Sequence, residues 1–592
     1  MLYRKEKIFL FTLFLSIFFY SYLYANEEES FLIRITRYLR LRTHFLKESK
    51  IENSNLCSFI YNLNYLPLDL QSRSVISDIQ TDFSLRGSNF EGVVVLLDNI
   101  RINDPQTAHH NSDIPLTKKD IEKIEILSPT VSSLYGPDSV GGAVNIVTEE
   151  IKKEKSIELS YGSFDTIQQL ISIAEKKQNF GIRFSLENTE SDGFYYDTDF
   201  KRLTTNIFSL WDFFGVKNST FFGYQEKEFG AYDFYSPFRG FASKEWTKTY
   251  LLKSSFDLEM EDFNIKPTIL WRRHFDKFML DKTRPNWYLN HHRTDIYNYN
   301  LYLEKEFQEI IKIGCGLEYG KELIKSSRLG GRKRQHRSLH IKLQKEIENL
   351  SIDSGMKLDN YSKLNELYSG YFDLRYKIIN DTFLKVAISE NIGLASFTEL
   401  YYVDPTTVGD ENLSEEKFLN YEWGLIKKLG NHLLDINFFL RKEKDAIDWV
   451  KSKITDPLWQ AKNIDSAEVK GIELHLNLIF SDLEIDSYYT YINKSKIKPS
   501  YIYKYGPNYM KHLYTILLKK ELNKLDLYFG LRYKKRPLRD GWWIFDGSFR
   551  FKINKNFEFS LEGSNLFNVE YQEIEGIPQP KRSFAFRIIY NW

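Results

Sequence analysis

Only two cysteines, Cys57 and Cys315, stand in 592 residues. They are too few for a disulfide framework and too far apart to suggest a local bridge, so two unpaired thiols are expected. An excess of either charge is also lacking. The 81 Lys and Arg balance the 80 Asp and Glu, and a net charge of +1 offers no field for nucleic acid. After residue 25 no stretch reaches the ~18 consecutive apolar residues of a spanning helix, which excludes a helical membrane bundle. There is no HExxH, GxSxG or CxxC pattern, and the glycine-rich turn at Gly136 lacks the Gly-Lys-Ser/Thr of a phosphate loop. Neither an enzyme nor a dedicated cofactor or metal site is expected.

Aromatic residues are abundant, at 16% of the chain. That richness suits the interfacial belts of a membrane β-barrel, and 42% hydrophobic content suffices where only alternate residues face lipid. The chain is also too long for one ordinary soluble core.

The chain opens with a basic cluster, Arg4, Lys5 and Lys7, and an apolar run, Ile8 to Phe19. With Ala25 as the cleavage point, residues 1–25 read as a signal peptide; the run is short for an uncleaved anchor. Residues 26–52 form a polar arm with one extended-looking segment, Phe31–Arg37. Two readings stand for it: a strand offered to a partner's sheet, or an unstructured terminus.

Residues 53–150 read as a compact α+β domain. Asn53 or Ser54 is placed to cap a short helix carrying Leu56, Phe59, Ile60 and Leu63, which Pro67 stops. The continuous apolar runs Val93–Leu97 and Val144–Val147 suit strands covered on both faces. Thr117, with Asp120 three residues on, is a capping signal ahead of the strand Ile124–Leu127.

Residues 151–592 change to a period of two. Phe584, Phe586, Ile588, Tyr590 and Trp592 alternate with Ala585, Arg587, Ile589 and Asn591. Ile472, Leu474, Leu476 and Leu478 alternate with Glu473, His475 and Asn477, and Tyr421, Trp423 and Leu425 with Glu422 and Gly424. About 22 such strands are predicted. Gaps after even-numbered strands are short, as at Gly215–Lys217, Gly430–Asn431 and Asn554–Lys555. Gaps after odd-numbered ones are mostly long, as at Ser191–Lys201, Lys227–Glu245, Asp276–His292, Lys325–His336 and Ser396–Glu416. This parity fits a bacterial outer-membrane barrel. A barrel that wide cannot fill its lumen with its own side chains, so the preceding domain is expected as a plug.

At these residues the sequence resembles the TonB-dependent outer-membrane receptors over nearly its whole length. In the plug the resemblance rests on Ser84–Ser88, Val95–Asp104, Asp120–Leu127 and Ser133–Thr148. In the barrel it rests on Ser396–Tyr402, Val469–Leu476, Ser564–Tyr571 and the aromatic end. Asn103–Leu116 and Asp445–Val450 look closest to the cobalamin-receptor-like branch. The resemblance implies that a large ligand binds the plug apices and outer loops. TonB, energised by the inner-membrane proton gradient, then grips a Ton box, here Phe31, Leu32, Ile33, Arg34, Ile35, Thr36 and Arg37. Arg34 departs from the usual box. The resemblance also implies an outer-membrane location, contact with lipid and lipopolysaccharide, and a monomer.

Two departures touch the plug. Asn99 stands where the family has glycine, a residue that tolerates positive φ. Ser128 stands where the family has an arginine which, with Arg86, pairs with two barrel glutamates, here Glu422 and Glu473. One carboxylate is therefore expected to lack its usual partner.

The ligand-facing candidates are Asn103, Asp104, Gln106, Thr107, His109, His110 and Asn111 in one apical loop, Tyr135 in the second apex, and Tyr232 and Tyr235 in the aromatic loop Phe229–Trp246. His109 and His110 are adjacent and point apart in an extended chain, so no metal site is expected from them. Asp192, Asp197 and Asp199 match no EF-hand spacing and read as a solvated face. Arg328, Arg332, Lys333, Arg334 and Arg337 form a basic run, read as a loop that is either solvated or paired with outer-leaflet phosphates. The function expected is energised import of a scarce organometallic nutrient, cobalamin or a relative. A ferric-siderophore or haem receptor is the alternative within the class, and a passive channel or structural surface barrel the alternative outside it.

Overall fold

The computed structural model describes residues 43–47, of which the backbone alone, and 58–592 apart from 76–77, 236–237, 261–262, 308–309, 380, 465, 496–500 and 507. The signal segment 1–25, the segment Phe31–Arg37, Asn53, Ser54, Leu56 and Cys57 lie outside the described residues.

From Glu154–Gly162 to Ser583–Asn591, 22 antiparallel strands pair in chain order, and the last closes on the first with Ile588 opposite Leu159. Closure leaves no unpaired edge. The period-two pattern sets which face is which. Phe584, Phe586 and Ile588 are exposed, while Ala585 and Arg587 between them are buried. Trp423 likewise points out and Glu422 in. Among the described residues no helix is long and apolar enough to cross a membrane.

The loop parity holds. Residues 214–215, 430–431 and 553–556 turn tightly at one end, and 394–415, 445–466, 495–511 and 565–582 are long at the other. One predicted loop is wrong. Between Lys325 and His336 the chain turns at once, and the strand Gly330–Ile347 takes up most of the basic run. Alternation explains how charge extends this strand: Lys333 and Arg337 are exposed, whereas Arg334 turns in, bonding Glu322 at 2.7 Å and the Ala395 carbonyl at 3.0 Å. Arg332 lies over the ring of Tyr401 at 3.9 Å. The inward arginines thus clamp the loop 394–415. Three long loops also build a small outer sheet, in the order Thr407–Val408, Trp459–Ile464, Ala446–Lys451 and Ile502–Tyr503.

The plug fills the lumen. Its sheet runs Thr43–Lys47, Ile121–Leu127, Gly142–Thr148, Val93–Leu97 and Ile100–Arg101. The two apolar runs pair in parallel, and Val93–Leu97 is wholly buried, as such a pair requires. Asp98 and Asn99 turn the adjoining hairpin at φ 48° and 67°, so Asn99 does adopt the left-handed conformation. The short helix Phe59–Asn62 is capped by Ser58, whose hydroxyl accepts from the Ile60 N–H. Thr117 and Asp120 form the expected capping box. Asp120 also accepts from Arg183 and Ser185 of the wall. Plug residues Val95, Ile124 and Val144 share one core with wall residues Phe208, Phe221, Leu251 and Leu270.

Candidate functional site

Arg86 and Gly87 form the tip of a further plug apex at φ 48° and 71°. Left-handed backbone is unusual for an arginine. Here it carries the guanidinium to the wall. Nε and Nη2 donate to Glu473 at 2.9 and 2.6 Å, and Nη2 also reaches Glu422 at 3.2 Å. The cation lies 4.7 Å above the Phe439 ring. Burial acts to lower the pKa of Arg86, but Glu422 and Glu473 more than reverse this and hold it above the ordinary arginine value.

Neutral donors, and not a side chain at position 128, meet Glu422 beside Arg86. Thr130, two residues beyond Ser128, donates its hydroxyl to Glu422 Oε1 at 2.5 Å, and Asn437 donates to Oε2 at 3.1 Å. The Ser128 hydroxyl is buried without a hydrogen-bond partner among the described residues. Beside it lies a void of about 20 Å³, lined also by His475 and by the ion pair of Lys385 and Asp435.

The same apex floors a cavity of about 410 Å³. Ser88, Asn89 and Phe90 form its base, Glu416, Phe418, Glu443 and Lys494 its wall, and Ile447, Asp448, Tyr503 and Tyr505 of the outer sheet and neighbouring loop its roof. Phe90 meets Tyr505 edge-on at 5.0 Å, with ring centres defining where plug and roof touch. Glu443 bonds Arg441 at 2.7 Å and Lys494 at 3.1 Å. Asp448 accepts from the N–H groups of Trp449, Tyr505 and Gly506. Burial pushes Asp448 up to about 6 against these hydrogen bonds. A cavity of this size, aromatic with a few fixed polar groups, suits a sizeable organic ligand.

Behind Phe90, His109 stacks on its ring at 4.3 Å and bonds Asp82 at 2.7 Å. Asp82 also accepts from Arg73 at 2.8 Å. Burial raises the Asp82 carboxyl, but His109 and Arg73 outweigh it and bring it down to about 2. Burial holds the His109 imidazole below its usual value.

Residues 52–143 match the TonB-dependent receptor plug domain, and residues 156–566 match the TonB dependent receptor-like β-barrel. The chain belongs to the TonB-dependent receptors. It is 23% identical, over 86% of both chains, to a vitamin B12 transporter BtuB from Photobacterium profundum. Its fold is similar to that of the siderophore receptor PirA from Pseudomonas aeruginosa, at 14% identity and a TM-score of 0.76, covering 93% of this chain and 99% of that one. It is also similar to the copper transporter OprC, at 13% identity and a TM-score of 0.78, with the same coverage. TonB-dependent receptors are outer-membrane transporters that take an external ligand and work with TonB; they are not an enzyme family.

In this receptor the predicted ligand-facing residues are dispersed among several settings. Asn103, Asp104 and Asn111 are spent on the plug itself and its seam. Asn103 bridges Val93 and Val95 of the central strand, Asn111 accepts from the Asp104 N–H, and Asp104 pairs with Arg272 and accepts from Thr294. Thr107 donates to Glu91, and Gln106, like His110, is buried against Asp276. Tyr135 donates to Asn99 and packs against Leu96 and Leu127, away from the cavity lining. Tyr232 sits in an aromatic cluster with Tyr195 and Tyr196, and Tyr235 bonds Gln80 and Glu245, close to His109. Asp197 already has a cation, pairing with Lys282. The roof tyrosines are not among the predicted residues, although Tyr501, Tyr503, Tyr505 and Tyr509 crowd one loop as densely as the aromatics of Phe229–Trp246.

Proposed function

We propose that this receptor imports cobalamin or a related corrinoid, bound in the cavity that Phe90 lines from the plug and Tyr503 and Tyr505 from the roof, and drawn inward when TonB pulls on Phe31–Arg37. The cavity carries this reading. Its floor is the plug apex that Arg86 latches, so a ligand seated on Phe90 bears on the element that has to move. A ligand shifts such an equilibrium only by binding the two plug states unequally. The aromatic lining suits the flat apolar faces of a macrocycle, and the fixed acceptors suit its peripheral amides. Glu416, Glu443 and Asp448 outnumber Lys494, which disfavours a strongly anionic ferric siderophore. The similarity to a vitamin B12 transporter across most of both chains supports the same ligand. The receptor would act as a monomer, with Lys333 and Arg337 turned toward outer-leaflet phosphates.

The test is tryptophan-quenching titration of the purified receptor with cyanocobalamin, a ferric-siderophore panel and haem. Saturable quenching by cyanocobalamin, weakened by Phe90→Ala and Tyr505→Ala, is the expected result. Quenching by a siderophore or haem, with none by cyanocobalamin, would transfer the reading to that ligand.

A further inference from the structure

Three consecutive barrel strands converge on the apical loop of the plug, which is far from them in sequence. The plug supplies His110 and Asp113. The strand Phe263–Met279 supplies His274 and Asp276, the strand Lys244–Met260 supplies Glu245 and Thr249, and the strand Val216–Gly230 supplies Lys227. All of these side chains except Thr249 are titratable, and every one is buried.

We propose that His110 Nδ1, Asp113 Oδ2 and His274 Nε2 bind one divalent transition-metal ion of the zinc type, which staples the plug to the barrel wall. The spacing is the first argument. His110 Nδ1 lies 3.4 Å from Asp113 Oδ2, and His274 Nε2 lies 3.7 Å from the same oxygen. Both separations are long for N–H···O hydrogen bonds, whose range ends near about 3.2 Å. They are close to the edge of a coordination tetrahedron, since an ion about 2.0–2.2 Å from each donor sets them about 3.3–3.6 Å apart. The three donor atoms all lie within 4.8 Å of one another.

Orientation is the second argument. Two of the three proposed ligands, His274 and Asp113, are held through their other polar atom, and the third, His110, is held through its backbone. Thr249 Oγ1 lies 2.9 Å from His274 Nδ1, Lys227 donates to Asp113 Oδ1 at 2.7 Å, and His110 Nε2 faces Asp276 at 3.6 Å. Arg272 fixes the His110 backbone by donating to its carbonyl at 3.0 Å. Outer partners of this kind fix ring orientation and leave the remaining atom for the metal.

Unmet demand is the third. His274 Nε2 is buried with no hydrogen-bond partner, as are Asp276 Oδ1 and Glu245 Oε1 nearby. Among the described residues neither Asp276 nor Glu245 has an ion pair with a lysine or arginine, whereas the next carboxylate, Asp104, has Arg272. Buried carboxylates without a fixed cation are costly. A divalent ion at His110 lowers that cost and uses the idle imidazole nitrogen at the same time. Two imidazoles and a carboxylate are a donor set for zinc, and also for copper, nickel or iron(II).

The experiment uses the full-length receptor purified in detergent. Metal content is measured by mass spectrometry as isolated, and again after chelator treatment and incubation with Zn²⁺. One equivalent per chain is expected, falling to background in His274→Gln and His110→Gln and unchanged in His475→Gln, a histidine elsewhere in the lumen. Because the buried variants risk misfolding, X-ray absorption on the wild-type protein provides a second reading, expected to show two imidazole nitrogens and oxygen at the metal. No bound metal in either wild-type preparation would overturn the proposal. So would stoichiometry that survives both substitutions, or a shell without imidazole.

Discussion

Arg86 grips Glu473 through two donors, Nε at 2.9 Å and Nη2 at 2.6 Å, from a backbone conformation that arginine rarely adopts. The plug apex is therefore latched to the wall by a buried fork, and the same apex floors the ligand cavity. Removing one partner of a buried pair leaves the other charge stranded, at a cost of about 3–5 kcal/mol. Arg86→Ala should loosen the plug. Faster proteolysis of residues 84–91 and greater entry of large antibiotics through the barrel would show it; unchanged rates would remove the latch from the account.

Thr130 takes over part of the work of the missing arginine, by donating to Glu422 Oε1. Thr130→Val should cost about 1–3 kcal/mol, less than Arg86→Ala, as expected for a buried acceptor left unmet. Ser128→Arg should not restore a stronger latch. The void beside Ser128 is about 20 Å³, room for about one water, and the Lys385–Asp435 pair closes it. Both variants are checked by the temperature at which the plug becomes protease-sensitive, which should fall in each.

Phe90 and Tyr505 both line the cavity and touch edge-on at 5.0 Å. Aromatic anchors at the centre of a site commonly contribute about 2 kcal/mol, so Phe90→Ala and Tyr505→Ala should each weaken ligand binding by about 30-fold. His109→Ala acts only through the stacked Phe90 ring and should cost less. Tyr135→Phe should leave the titration curve where it is.

Asp82 ties His109 and Arg73 together, and its pKa in the folded plug is about 2. A carboxylate depressed on folding stabilises above its unfolded value, near about 4, and that contribution is lost as pH falls toward 2. The loss amounts to about 2.5 kcal/mol. Protection factors at residues 80–85 and 107–111, corrected for the intrinsic pH dependence of amide exchange, should therefore fall between pH 4 and pH 2, and Asp82→Asn should flatten that slope.

The barrel was legible because lipid on one side and plug on the other write alternation into every strand, as Phe584 against Ala585 and Trp423 against Glu422 show. Alternation misleads at Lys325–His336, where the strand continues through the basic run and Arg334 is held by Glu322 and the Ala395 carbonyl instead of solvent. The plug was legible from its apolar runs and the Thr117–Asp120 box. The partner of Glu422 was not, because Thr130 reaches it only through the docking of plug on wall. The convergence of His110 with His274 was hidden for the same reason: neighbours in the lumen are remote in the chain, and inspection of His109 and His110 alone suggests no metal.

On the proposed mechanism a moving plug carries ligand inward under force from TonB. The most direct measurement compares wild-type receptor with a form lacking residues 31–37, following uptake of radiolabelled cyanocobalamin by whole cells and its binding at the cell surface. Surface binding should be unchanged and uptake should fall to that of cells without the receptor. Uptake that survived the deletion would contradict the energised mechanism.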